Sequence, residues 1–134
     1  MSTQTPVVLA WNLLRYSYGA VLLLAGLDKV FATNLIVDWA QYISSQAMSM
    51  LPSVSAFLFF IGVVEVVVAV LMLTKFQRLA GYLSVAWLLI ISLNLVILGT
   101  LDIAIRDVLL AVGALVLVLL TDTARETSRP AHAA

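Results

Sequence analysis

Apolar residues in this chain fall into four long runs, 9–31, 54–73, 79–98 and 103–120, separated by shorter polar breaks. Each run is about 18–23 residues long, which is what an α-helix needs to cross ~30 Å of hydrocarbon. The runs are rich in Val and Ile, residues that favour strands in water. In lipid each segment must satisfy its own backbone, so spans of this length are helices. The pattern predicts an all-α integral membrane protein, a bundle of four transmembrane helices.

The connections differ in kind. The break at 74–78 (TKFQR) is short and makes the second and third spans antiparallel neighbours. The next break is shorter still, with Gly99 suited to a helix end and Asp102 to the N-cap of the fourth span. The first connection, 32–53, is longer and patterned. Leu35, Ile36, Trp39, Ile43, Ala47, Met50 and Leu51 recur at three- and four-residue spacing, with Asp38, Gln41, Ser44, Ser45 and Ser49 opposite them. That spacing predicts an amphipathic helix over about 35–50, stopped by Pro52 and lying in the membrane interface or capping the bundle. A loop with one incidental helical turn is the plainer alternative. Residues 122–134 are polar and read as a disordered cytoplasmic tail.

Small residues repeat every seven positions: Gly19 with Gly26, Gly62 with Ala69, and Ala104 with Ala111. Such a stripe lets antiparallel helices approach closely.

Composition supports the membrane reading and removes other functions. Hydrophobic residues make up 63% of the chain and charged residues 10%, against roughly 45–50% and ~25% in soluble domains. The formal net charge is zero, so no basic surface points to nucleic acid. There is no cysteine, hence no disulfide framework, CxxC centre or thiolate-held metal. His132 is the sole histidine, so no bis-histidine haem or His-rich metal site is expected. No Ser-His-Asp, phosphate-loop or dinucleotide-binding pattern occurs. Residues 1–9 carry no basic residue, which argues against a cleaved signal peptide.

Charge distribution gives orientation. With four spans, Arg15, Lys75, Arg78, Arg125 and Arg129 share one side with Asp122 and Glu126. The opposite half holds only Lys29 and Arg106 as basic residues. The excess of Lys and Arg places both termini on the cytoplasmic side; a bacterial or archaeal inner membrane is the location expected for the chain.

The candidate chemistry lies in the other half. At 1.5 Å per residue, Glu65 sits roughly 15 Å from the cytoplasmic face, Asp28 roughly 20 Å and Arg106 roughly 24 Å. Asp28, Lys29, Arg106 and Asp107 therefore share a layer, with Asn94 near it and Glu65 a turn or two below. Charges at this depth cost several kcal/mol each unless paired or hydrated, so they face the bundle interior. Asp102 and Arg106 are placed to pair at i,i+4, Asp28 or Glu65 to meet Arg106, and Lys29 to reach Asp107 or snorkel outward. One reading is a polar pocket for a quinone headgroup, an oxyanion or a proton relay. The other is an interhelical ionic network that fixes helix register. Arg15, Trp11 and Tyr16 read as an interfacial belt, Trp39 as an anchor, and Trp87 and Tyr18 as packing.

These features resemble the DoxX/DoxD-like family of small membrane proteins. The resemblance is carried by Arg15 with Gly19, by AGLDKVF at 25–31, by IGVVEVVVAVLML at 61–73, and by Asp102 to Asp107 with Arg106. It covers about residues 12–121, and departs in the ending TDTARETSRP, where many relatives have a Gly-Pro-Gly-rich segment and a terminal Asp. It implies a four-helix bundle and a link to membrane redox chemistry, because one branch forms the membrane subunit of a thiosulfate:quinone oxidoreductase. Such a subunit holds no metal or covalent cofactor of its own, takes quinone as its small-molecule partner, and depends on a protein partner for electrons. A non-catalytic accessory subunit of a larger complex is the alternative. A small proton-coupled transporter fits less well, because that class typically carries its membrane Glu in the first span.

Overall fold

The computed structural model describes residues 5–129. Its helices are α1 (Pro6–Val30), α2 (Ser45–Ser49), α3 (Val54–Leu73), α4 (Gln77–Leu98) and α5 (Leu101–Ser128), with one 3-10 turn at Trp39–Tyr42. All but α2 and the turn are long and apolar enough to span a bilayer. The chain is a multi-pass membrane protein built as a four-helix bundle.

The helix ends follow local chemistry. Pro6 opens α1, where its missing N–H has no helical partner to lose. The Ser53 hydroxyl caps α3 by accepting from Ala56 N. Gly99 closes α4 in the left-handed region, φ +90°. Its N–H and that of Thr100 return to the carbonyls of Val96 and Leu95, the paired bonds of a glycine-terminated helix. The turn is so tight that α5 begins at Leu101 after Thr100. Asp102 consequently stands inside the first turn and is not the N-cap, where it still favours the positive end of the helix.

The helices form a ring in the order α1, α3, α4, α5, with antiparallel neighbours. The closest pairings are α1 with α3 and α4 with α5. Small residues are the reason. Gly26 of α1 faces Gly62 of α3 so closely that a Cβ on either would lie within 2.8 Å of the other's carbonyl oxygen. Ala69, Ala104 and Ala111 are buried, and Ser92 Oγ donates to the Ala104 carbonyl at 3.0 Å. At the end holding the termini, Val8, Trp11, Met72, Leu117 and Ala124 pack into an apolar core.

Three expectations are corrected. The first connection is not one amphipathic helix over 35–50 but a 3-10 turn and a five-residue helix. Leu35 and Met50, assigned to its apolar face, are more than four-fifths exposed. Asn94 of α4 accepts from the Ser44 N–H and donates to the Tyr42 carbonyl, two mid-segment groups that a continuous helix would pair internally. Residues 122–128 are helical and not a disordered tail. Leu117, Thr121 and Ala124 continue the buried stripe, Arg78 pairs with Asp122 at 2.9 Å, and Arg125 donates to the Lys75 carbonyl at 2.7 Å. His132 and the rest of 130–134 lie outside the described residues. Finally, Trp11 is no belt residue: it is buried, with its indole N–H on the Thr121 hydroxyl at 3.3 Å. Arg15, beside it, donates to the carbonyls of Met72, Leu73 and Thr74 and so satisfies the open C-terminal end of α3.

Candidate functional site

The interior site starts from the Gly26–Gly62 contact. With no side chain between them, α1 and α3 come close enough for Lys29, one turn beyond Gly26, to reach Glu65, three residues beyond Gly62. Lys29 Nζ donates to Glu65 Oε2 at 2.7 Å, and both side chains are buried. The other carboxylate oxygen accepts from the Trp87 indole of α4 at 3.2 Å. Glu65 thus joins three helices and receives two donors. An ion pair removed from water is favourable only with such supporting bonds.

Beside this pair lies a partly open cavity of about 630 Å³, within the ~300–1,000 Å³ range of small-molecule sites. All four long helices and the first connection line it, mostly with apolar side chains. Its polar groups are Lys29, Glu65, Trp87, Asn94, Arg106 and Asp107, with Trp39 and Tyr42 from the connection. Asn94 holds that connection in place. Its amide donates to the Tyr42 carbonyl at 2.6 Å and its oxygen accepts from Ser44 N at 3.1 Å. Arg106 is loosely held, 3.9 Å from Asp107, with 68% of its side chain exposed.

Of the six sequence candidates, the cavity brings together Lys29, Glu65, Asn94, Arg106 and Asp107. Asp28 turns away from it. Its carboxylate accepts from the Thr33 hydroxyl, the N–H groups of Leu35 and Ile36, and the Trp39 indole, which makes it the organiser of the connection. The anticipated pairings differ as well. Among the described residues Arg106 pairs with neither Asp102, Asp28 nor Glu65, and Lys29 takes Glu65 in place of Asp107. Arg106 is largely exposed, whereas the glycine contact brings Lys29 and Glu65 together in the buried interior.

Sequence reasoning passed over Trp87 and Trp39 as packing and anchoring residues. A signal for Trp87 existed, since it lies seven residues before Asn94 and so shares its face of α4. No signal in the local pattern marked Trp39 as a ligand of Asp28. Lys29 Nζ lies 3.5 Å from the centre of its ring, a cation–π contact.

A second cavity, about 370 Å³, is an apolar slot between α3 and α4. It shares Leu22, Glu65, Trp87 and Ile90 with the first. No group of three or more His, Asp or Glu among the described residues is placed to hold a metal ion. Every buried side-chain nitrogen or oxygen among them has a hydrogen-bond partner. Together the two spaces combine largely apolar walls with indole, amide, carboxylate and ammonium groups. No family model, no curated protein and no solved structure matches this chain.

Proposed function

We propose that the chain is a membrane subunit of a quinone-linked redox complex, with the quinone head in the cavity beside Glu65, Lys29 and Trp87. The carrying observation is that cavity, apolar on most of its wall and lined by five of the six ionisable or amide residues singled out in the spans. Reduction of a quinone takes up two electrons and two protons. The Lys29 ammonium, which has three N–H donors, serves a carbonyl oxygen, Trp87 holds the Glu65 carboxylate, Glu65 and Lys29 exchange protons with the head, and Arg106 and Asp107 connect the mouth to water. The electrons come from a protein partner, so the chain is not catalytic alone. The likeness to DoxX/DoxD-like proteins supports the same reading, as do the basic residues that assign both termini to the cytoplasmic side. A bacterial or archaeal inner membrane is the location that goes with it.

The test is quinone content. The native complex, purified in mild detergent, is extracted and its quinone measured, then compared with Glu65→Gln and Arg106→Ala complexes of equal assembly. Loss of quinone from the Glu65→Gln complex supports the proposal. Unchanged quinone and turnover in both variants overturn it.

A second reading has its own support. Complete mutual satisfaction of the buried polar groups is what a register-fixing network in an accessory subunit needs. Dissociation of the complex in both variants, with normal quinone chemistry in what remains, favours that reading.

A further inference from the structure

The slot between α3 and α4 has a use that the polar cavity alone does not supply. It rests on the reading of that cavity as a quinone site. Around the ring of helices, α3 and α4 pack less closely than α1 with α3 or α4 with α5. Leu22 of α1 lines the inner side of the gap. On α4 its edge is Leu83, Ala86, Trp87 and Ile90, at the spacing of one helical face. Ala86 is the short, exposed side chain on that edge, and the buried Ser84 lines the slot beneath it. On α3, Val63 and Val67 form the opposite rim and are exposed on the outer surface, which in a membrane means exposed to lipid. Glu65 and Trp87 belong to both spaces.

We infer that the α3–α4 slot is a lateral portal from the bilayer, which admits a ligand head to the cavity and retains its long apolar tail. The ligand class is thereby narrowed to lipid-borne molecules of isoprenoid or alkyl-tailed type. The geometry suits that division: a slot walled by Val, Leu and Ile adjoins a chamber carrying an ion pair and an indole N–H. Trp87 stands at the junction, where its indole turns to Glu65. The other opening, at Arg106, is charged and suits water and protons.

The experiment uses the full chain in lipid nanodiscs and two probes: a tailless benzoquinone and the same head with a ten-carbon tail. Binding is read by quenching of tryptophan fluorescence. The slot is plugged with Ala86→Phe and, independently, Val67→Phe, both on lipid-facing positions that need no room in the core. Leu93→Phe, on an exposed face outside both cavities, is the control. Partition of the tail into lipid is common to all samples and cancels in the comparison. The expected result is a tailed-probe affinity at least tenfold weaker in both plugged variants, with tailless binding within twofold of wild type and no change in the control. If tailed binding survives both plugs unchanged while the tailless probe still binds, the portal is overturned and the quinone site stands. If neither probe binds the wild type, the site and the portal fall together.

Discussion

Lys29 Nζ lies 2.7 Å from Glu65 Oε2, and neither side chain exposes more than 6% of its surface. This contact between α1 and α3 is the deepest ionic link in the bundle, and its energetics are testable without knowledge of any ligand. Removing one partner strands the other charge in a dry interior, at a cost of about 3–5 kcal/mol. Lys29→Met or Glu65→Leu alone should lower stability by that order in denaturant unfolding of the purified protein. The double variant should recover most of the loss, because a neutral pair of similar volume carries no desolvation cost. A double variant as unstable as the sum of the singles would show that the two residues act separately.

The glycines predict a different kind of sensitivity. A methyl group at Gly62 would lie 2.7 Å from the Gly26 carbonyl oxygen and 2.9 Å from Lys29 Cβ. Backbone cannot yield there without parting α1 from α3. Gly62→Ala should cost about 1–3 kcal/mol, as overpacking does, and should weaken the Lys29–Glu65 pair above it. At Gly19 the same methyl meets only the end of the Leu73 side chain, which can rotate aside. Thermal unfolding should therefore separate the two substitutions clearly, with Gly19→Ala the milder.

The first connection should loosen without loss of the bundle. Asp28 collects four donors from residues 33–39, and asparagine at that position offers one acceptor oxygen in place of two. In Asp28→Asn, amide hydrogen exchange at Leu35 and Ile36 should rise roughly tenfold or more, while exchange in α3 and α4 stays as in wild type. Asn94→Leu should release the other side, at Tyr42 and Ser44. Exchange that spreads equally into the long helices would contradict a purely local role.

Arg15 should behave as a helix cap. Its guanidinium spans the last carbonyls of α3, with Nε on Met72 O at 2.9 Å. Arg15→Leu should cost about 1–2 kcal/mol and raise exchange in the turn after Leu73. Lysine should restore only part of this, since a single ammonium cannot span several carbonyls as the planar fork does.

Much of this architecture was legible in the chain. Lipid forces long apolar runs into helices, so the four spans followed from run length, and the heptad of small residues marked the Gly26–Gly62 contact. The layer of polar residues was legible too, because depth is arithmetic on a helix. Pairing was not. Which cation meets which carboxylate depends on helix rotation and on fractions of a turn, and Lys29 met Glu65 because two glycines let α1 sink toward α3. The first connection misled for a related reason. Its apolar spacing is helical, yet Asn94, from a distant helix, takes the Ser44 N–H and the Tyr42 carbonyl that a continuous helix would pair. In 122–128, polar composition hid the continuation of a buried stripe that runs through Leu117 and Thr121 and there keeps only Ala124.

Trp39 brings two of these features together. Its indole N–H is bonded to Asp28 at 2.7 Å, while the face of the same ring lies 3.5 Å from Lys29 Nζ. The roof of the cavity and the charge on its wall therefore share one side chain. Lifting the roof would strip the ammonium of its aromatic neighbour at the moment water arrived, so exposure at this end carries an electrostatic counterweight. Opening of the roof is thus opposed by the fold itself.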